Sequence, residues 1–226
     1  MGPFLVYLRM ESKEMAKEKG LFVVFEGIDF SGKSTQAKRL ASKLKEQGFD
    51  VVSTWEPGGT RAGSLIKEAI MDFSNGELAP KTELMLFAAD REQHLKEVIL
   101  PALEKGQVVI CDRYTWSTCA YQLARGNTLK DVMFLTQVPV VPDLTIFLDI
   151  DYKTKRERQK AIGRNSNRFD KEKKEFFEAV RKNYKRLAKN ASKQTPDRFL
   201  QIDTTNFSED EVANLIYNWF FKMAKK

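Results

Sequence analysis

The sequence predicts an α/β fold: one domain built on a five-stranded parallel sheet with helices on both faces. Three observations carry that prediction. Apolar runs of strand length alternate with segments of helical period. "LFVVFE", "QVVIC" and "DLTIFLDI" are predominantly apolar with no polar alternation, as strands buried on both faces are. The first of them falls directly into a glycine-bracketed turn and then a helix.

The elements follow in order. Leu21–Glu26 is a first strand, and Ser34–Gln47 an amphipathic helix closed by Gly48. Asp50–Thr54 is a second strand, Ala62–Phe73 a second helix, and "SNGELAP" a loop. Thr82–Glu104 reads as one long helix, bent at Pro101 and ended by Gly106. Gln107–Cys111 is a third strand, followed by helical segments at Trp116–Ala124 and Leu129–Gln137. Asp143–Ile150 and Arg198–Ile202 are the fourth and fifth strands, with late helices at Lys171–Lys189 and Glu209–Lys225. One segment breaks the alternation. "QKAIGRNSNRFDKEKK", Gln159–Lys174, is basic and polar, and on charge pattern alone a mobile lid and a solvated face fit it equally. Residues 1–20 read as an N-terminal extension or mobile arm. Their apolar patch has no basic region before it and no small-residue cleavage site, so a signal peptide is not expected. Residues 21–226 read as a single domain with its lid at about 159–170.

Composition narrows the function. The 226 residues are 42% hydrophobic and 31% charged, which suits an ordinary globular chain with a buried core. No apolar stretch approaches the roughly 20 residues of a membrane helix. Cys111 and Cys119 are too few for a disulfide framework and lack metal-ligand spacing, which fits a reducing cytoplasm. His94 is the only histidine, so a Ser/His/Asp triad or a histidine-rich metal site would have to be built around it. The formal charge of +7 suits nucleic acid or a polyanionic small substrate. No RNP-like aromatic pattern or zinc-finger spacing favours the former.

Gly27-Ile28-Asp29-Phe30-Ser31-Gly32-Lys33-Ser34 matches G-x-x-x-x-G-K-[ST], between an apolar strand and a helix. That context predicts a P-loop NTPase fold. The glycines let backbone N–H groups converge on an anion at the helix N-terminus. Lys33 can reach the β- and γ-phosphates, and Ser34 can bind Mg²⁺. A GTPase would need a guanine-reading N-K-x-D, which is absent. A phosphotransferase would need a second, acceptor pocket.

The rest of the chain supplies candidates for that pocket. "TWEPGGT" sets a Pro-Gly-Gly turn beside Glu56. "ELMLFAADREQH" places Phe87 and Arg91 on one helix face, four residues apart. "VVICDRYTWSTCAYQ" ends a strand in Asp112-Arg113. Ligands bind at the carboxyl ends of such strands, where Asp29, Glu56 and Asp112 fall.

Taken in order, "FEGIDFSGKSTQ", "EPGGT", "ELMLFAADREQH", "VVICDRYTWSTCAYQ" and "PDLTIFLDID" resemble the thymidylate kinases, from Leu21 to about Ala224. These enzymes phosphorylate dTMP to dTDP for dTTP biosynthesis. The resemblance implies ATP as donor, Mg²⁺ as cofactor, a cytoplasmic homodimer, and no nucleic-acid or membrane partner. It also implies site roles. Gly27 to Thr35, namely Gly27, Ile28, Asp29, Phe30, Ser31, Gly32, Lys33, Ser34 and Thr35, would bind ATP. Phe87 matches the aromatic stacked on thymine, and Arg91 the arginine that bonds the base near the acceptor phosphate. Arg113 matches the arginine gripping that phosphate, for which its fork is suited. Ser117 and Thr118 lie where the family reads the base edge, and Tyr121 where a ring packs on the sugar. Gln122 either joins them or supports the loop. Asp29 matches the aspartate at the 3′-hydroxyl. Ser34 is the expected metal ligand. Asp112 and Glu56 would hold metal-bound waters, or equally orient Arg113 and nearby backbone.

The sequence departs from the family at two places. Some thymidylate kinases carry arginine, others glycine, where Phe30 stands. A phenyl ring stabilises no transition-state charge, which assigns that task to Arg164 and Arg168 of the lid, ahead of Arg156 and Arg158. On this reading Arg168→Ala lowers kcat far more than it raises the KM for dTMP. Trp55 replaces an arginine common in bacterial relatives, and Lys67 restores part of that charge. Other readings remain: a kinase for dUMP, another monophosphate or a deoxynucleoside, for which Glu56 could act as base, or an ATP-dependent nucleic-acid-binding protein.

Overall fold

The computed structural model describes residues 20–71, 78–162 and 173–224. The strands are β1 (Leu21–Gly27), β2 (Val51–Trp55), β3 (Val108–Asp112), β4 (Leu144–Asp149) and β5 (Phe199–Asp203). They form one parallel sheet in the order β2-β3-β1-β4-β5. The central strands β1, β3 and β4 are almost wholly buried, whereas the edge strands expose Ser53, Trp55, Gln201 and Asp203. That is why the central three are the most apolar.

Alternation along β1 divides the core. Val23 and Phe25 turn to one face, against Leu40 and Leu44 of α1 (Lys33–Glu46) and Ile216 and Phe220 of α9 (Glu209–Ala224). Phe22 and Val24 turn to the other, against Leu95, Ile99 and Leu103. Each such buried side chain contributes roughly 1.5–3 kcal/mol.

The long helix expected at Thr82–Glu104 is three pieces: α3 (Pro80–His94), a π-helical turn (Leu95–Ile99) and α4 (Leu100–Glu104). Pro101 has no N–H to donate and its ring crowds the preceding turn, which widens rather than bends sharply. The remaining helices are α2 (Arg61–Met71), α5 (Thr115–Ala124), α6 (Leu129–Leu135), α7 (Tyr152–Ile162) and α8 (Lys174–Gln194). Two expectations are corrected. Residues 159–162 belong to α7 rather than to a loop, and α8 begins at Lys174 rather than Lys171. The segment holding Arg164 and Arg168 lies outside the described residues, as does all of 1–20 except Gly20. No described helix is long and apolar enough to cross a membrane.

Because β1 lies between β3 and β4, the chain connections leave it in opposite directions and open a crevice at its carboxyl end. The pairings Phe25–Asp112, Trp55–Asp112 and Gly27–Leu148 bring the ends of β1, β2, β3 and β4 to one edge.

Candidate active site

The turn after β1 begins at Gly27, with φ 144°, where an added Cβ would lie 2.3 Å from the Leu148 carbonyl oxygen. Only glycine fits there. Gly32 starts α1 with φ 95°. Phe30, at φ 69°, holds the same left-handed region without glycine's freedom, a strain of roughly 1–2 kcal/mol. Its ring packs under the Lys155 ammonium, 5.4 Å from the ring centroid, and its carbonyl accepts from Arg158 Nη1 at 3.2 Å. The Lys33 ammonium is buried and donates to the Ile28 carbonyl at 2.9 Å. Burial, with Arg113 adding to it, lowers its pKa to about 8. The Ser34 hydroxyl donates to Asp112 Oδ2, while Asp112 Oδ1 and Ser31 Oγ are buried without a partner among the described residues. The turn, Gly32 to Gln36, Arg158 and the Thr204–Glu209 segment line a cavity of about 1400 Å³.

A second cavity, of about 550 Å³, opens on the other side of Asp29. It is lined by Glu56, Phe87, Arg91, Arg113, Ser117, Thr118, Tyr121 and Gln122, together with Met71 and Tyr114. The structure thus brings together all the residues that the sequence suggested for an acceptor, and Asp29 belongs to both cavities. Asp29 pairs with Arg113 Nη2. Burial opposes its ionisation, but Arg113 and Lys33 outweigh it and hold the carboxyl below its ordinary range.

The arginines are fixed from behind. Arg91 is buried and binds Glu56 Oε2 through Nε at 2.9 Å and Nη2 at 2.8 Å, with Nη2 also donating to the Thr118 hydroxyl. Its Nη1 has no partner among the described residues. His94 Nδ1 donates to Glu56 Oε1 at 3.0 Å, and its Nε2 meets the Thr54 hydroxyl. Arg113, at φ 76°, donates from Nη1 to the Gly27 carbonyl at 3.0 Å and to Ser117 Oγ at 3.1 Å. Its guanidinium also stands 5.4 Å from the centroid of the Tyr121 ring.

Several assignments change with this geometry. Glu56 holds Arg91 through Oε2 and His94 through Oε1, so the arginine it orients is Arg91 and not Arg113. Asp112 bonds Ser34 rather than Arg113. Gln122 lines the cavity, but its amide donates to Glu83 and accepts from Asn127, which makes it a support between helices. The hydroxyl of Ser117 is shared among Glu26, Arg113 and Tyr184.

Sequence reasoning missed four residues here. Glu26, at the end of β1, is wholly buried and accepts from the Tyr114 and Ser117 N–H groups at 2.9 and 3.2 Å and from both the Ser117 and Tyr184 hydroxyls. Burial pushes its carboxyl up against the opposing pull of Ser117 and Arg113. Tyr184 reaches it from α8. His94 and Asp90 brace the Pro-Gly-Gly turn. Asp90 Oδ1 accepts from the Gly58 N–H at 2.9 Å, and burial raises its pKa to about 6. A carboxylate inside an apolar strand was the one available signal for Glu26. Among the described residues no group of three or more His, Cys, Asp or Glu forms a metal cage.

Comparison with known proteins places the chain among relatives. The family model described as thymidylate kinase matches residues 25–216. A thymidylate kinase of Pelotomaculum thermopropionicum is 46% identical over 194 residues, covering 83% of this chain and 87% of that one. A probable thymidylate kinase of Pyrococcus abyssi is 50% identical over 173 residues, covering 75% and 83%. The crystal structure of thymidylate kinase from Ehrlichia chaffeensis superposes with a TM-score of 0.69 at 30% identity, covering 92% of this chain and all of that one. On the family model and these relatives, the chain belongs to the thymidylate kinase family.

Proposed function

We propose that this chain phosphorylates dTMP to dTDP by direct in-line transfer from ATP, and that the residues above divide the work as follows. The observation that carries the reading is the meeting of two cavities at Asp29, one under the phosphate turn and one lined by Phe87, Arg91 and Arg113. ATP occupies the first. The backbone of Gly27 to Thr35 cradles its phosphates, and Lys33 moves from the Ile28 carbonyl to the phosphate charge. dTMP occupies the second. Phe87 stacks on thymine, and the unpartnered Nη1 of Arg91 is a free donor toward the nucleotide. Arg113 grips the acceptor phosphate, and Tyr121, packed against Arg113, closes on the sugar. Asp29 bonds the 3′-hydroxyl. A phosphate monoester has a second pKa of about 6, so its attacking oxygen is largely anionic and needs no general base. That agrees with the use of His94 and Glu56 as internal supports. Positioning and charge neutralisation supply the rate.

The Ser34 hydroxyl and the Asp112 carboxylate it bonds, whose Oδ1 has no partner among the described residues, offer hard oxygens that would suit Mg²⁺ with its waters. The chemistry Mg²⁺ supplies there is neutralisation of the β- and γ-phosphate charge. Arg164 and Arg168 remain the proposed lid cations. Two buried free cysteines suit a cytoplasmic setting. A homodimer is consistent with the exposed apolar side chains of Leu129, Met133 and Phe134 on α6.

Coupled ADP release with dTMP, dUMP, dCMP and thymidine tests the reading. The expected order has dTMP foremost and thymidine inert. Preferred phosphorylation of thymidine, or no turnover beside salt-sensitive DNA binding, would overturn it.

A further inference from the structure

β1 carries a carboxylate where a doubly buried strand would carry an apolar side chain. Glu26 is wholly buried, and a charge in such a place is costly unless donors surround it. Its Oε1 accepts from the Tyr114 N–H at 2.9 Å and the Ser117 N–H at 3.2 Å, at the start of α5. Its Oε2 accepts from the Ser117 hydroxyl at 2.6 Å and the Tyr184 hydroxyl at 3.2 Å. Burial favours the neutral acid, and the bonds to the charged form oppose it. Both hydroxyls also meet Arg113. Its Nη1 donates to Ser117 Oγ at 3.1 Å and to the Tyr184 hydroxyl at 3.4 Å, besides the Gly27 carbonyl at 3.0 Å. An ionised carboxylate only accepts. Ser117 therefore spends its one proton on Oε2, and Tyr184 spends its own on Oε2 or on Ser117 Oγ, 2.8 Å away. Neither hydroxyl has a proton left to oppose the guanidinium, and both turn lone pairs toward it. The backbone is held from the same place. Arg113 sits at φ 76°, its own N–H donates to the Phe25 carbonyl at 2.8 Å, and the next N–H, of Tyr114, donates to Glu26. Glu26 and Tyr184 are absent from the linings of both cavities, whereas Arg113 and Ser117 line the smaller one.

We propose that Glu26 is a positioning residue for the acceptor: through the hydroxyls of Ser117 and Tyr184 it fixes the Nη1 edge of Arg113, so that the guanidinium meets the acceptor phosphate already oriented. The proposal rests on the kinase reading above. A guanidinium fork recognises phosphate by direction as well as by charge, and ordering a loose side chain on binding gives part of that gain away. In Arg113 the ordering is done beforehand, because Nη1 is held by oxygens of β1, α5 and α8. Nη2 is left for Asp29 and for the phosphate. Capping α5 requires only Oε1, so a cap alone leaves Oε2 without a purpose. Glu26→Gln separates the two uses. The amide keeps one carbonyl oxygen for the Tyr114 and Ser117 N–H groups. It puts a donor where Oε2 was, and the hydroxyls must then turn their protons elsewhere, toward Arg113.

Calorimetric binding of dTMP and of thymidine, with steady-state turnover of dTMP with ATP, is compared for wild type, Glu26→Gln, Tyr184→Phe and the double variant. Thymidine shares the base and sugar of dTMP and lacks the phosphate that Arg113 would hold. Glu26→Gln is expected to weaken dTMP about 10- to 100-fold, the worth of a hydrogen bond to a charged group, with thymidine affinity and the KM for ATP within about twofold. A cap that merely stabilised α5 would not single out the ligand carrying a phosphate. Tyr184→Phe removes one oxygen beside Nη1 and should weaken dTMP by a smaller factor. The double variant should be no worse than Glu26→Gln, because the two act on one guanidinium. A dTMP affinity within about twofold of wild type in Glu26→Gln overturns the proposal, as does an equal loss for thymidine or for ATP, or losses that multiply in the double variant. If Glu26→Gln does not fold, Tyr184→Phe decides, and unchanged dTMP affinity there overturns the proposal. A wild type that neither binds nor turns over dTMP removes the kinase reading and this proposal together. A wild type active on dTMP beside an unimpaired Glu26→Gln removes this proposal alone.

Discussion

Lys33, the proposed phosphate ligand, is buried before any phosphate reaches it. Burial is the larger cause of its lowered pKa, and Arg113 adds to it, while Asp112, Asp29 and Glu26 pull the other way. The net result is a pKa of about 8, so the free protein loses this charge just above neutrality. The ionisation of free enzyme appears in kcat/KM. The kcat/KM for ATP should therefore fall as pH rises through about 8, and kcat should hold to higher pH because bound phosphate keeps the lysine protonated. A kcat/KM profile flat to pH 10 or so would contradict this. The same scale shows what the sequence discloses. Lys33, Arg91 and Arg113 stand in local motifs whose spacing announces them. Glu26 and Tyr184 do not, because they meet across 158 positions and their contact is a product of the fold. Glu56 lay in a motif, yet its role was decided by His94 and Arg91, at separations of 38 and 35. Spacing reports which residues reach the site, and burial decides which of them are left free to act.

At the scale of elements, every strand was legible, because the central ones are buried on both faces and the edges are bounded by glycine, proline and charge. Two helical features were not. The π-helical turn follows from the steric demand of Pro101, which a sequence marks as a bend without saying which kind. α7 escaped because it carries little apolar stripe and buries a lysine instead. α8 shows how an element far along the chain serves the site. Arg181 binds Asp149, at the end of β4, through Nε at 2.8 Å and Nη2 at 2.9 Å, with Lys185 at 3.2 Å beside it. Asp149 is buried, so loss of the fork leaves its charge to Lys185 alone. Arg181→Met should cost roughly 2 kcal/mol, below the full value for breaking a buried pair because Lys185 remains. The urea midpoint should fall with an unchanged m value. Since α8 also carries Tyr184 to Ser117 and Glu26, the KM for dTMP should rise as well. A variant as stable as wild type would show that Lys185 suffices.

Over the whole molecule, the sheet places two cavities against one carboxylate, and on the proposed reading stability becomes a measure of the ligand in each. Ligand that binds only the folded chain stabilises it by about 2.7 kcal/mol at a hundred times its Kd. For a domain of this size that is a rise in Tm of roughly 5–10 °C. dTMP and a non-hydrolysable ATP analogue should each produce such a rise. Together they should raise Tm by at least the sum, because each binds a cavity whose shared wall, Asp29 with Arg113, the other helps to order. The two sites can then be separated by variant. Arg91→Met removes a cation from the acceptor cavity alone, since Arg91 is absent from the lining of the larger one. It also leaves Glu56 buried without its arginine, so the variant itself should melt lower than wild type. Against that lower baseline, dTMP should give little or no rise, while the ATP analogue should give its full one. Equal loss of both shifts would mean that Arg91 holds the whole crevice together, and the assignment of the smaller cavity to dTMP would have to be withdrawn.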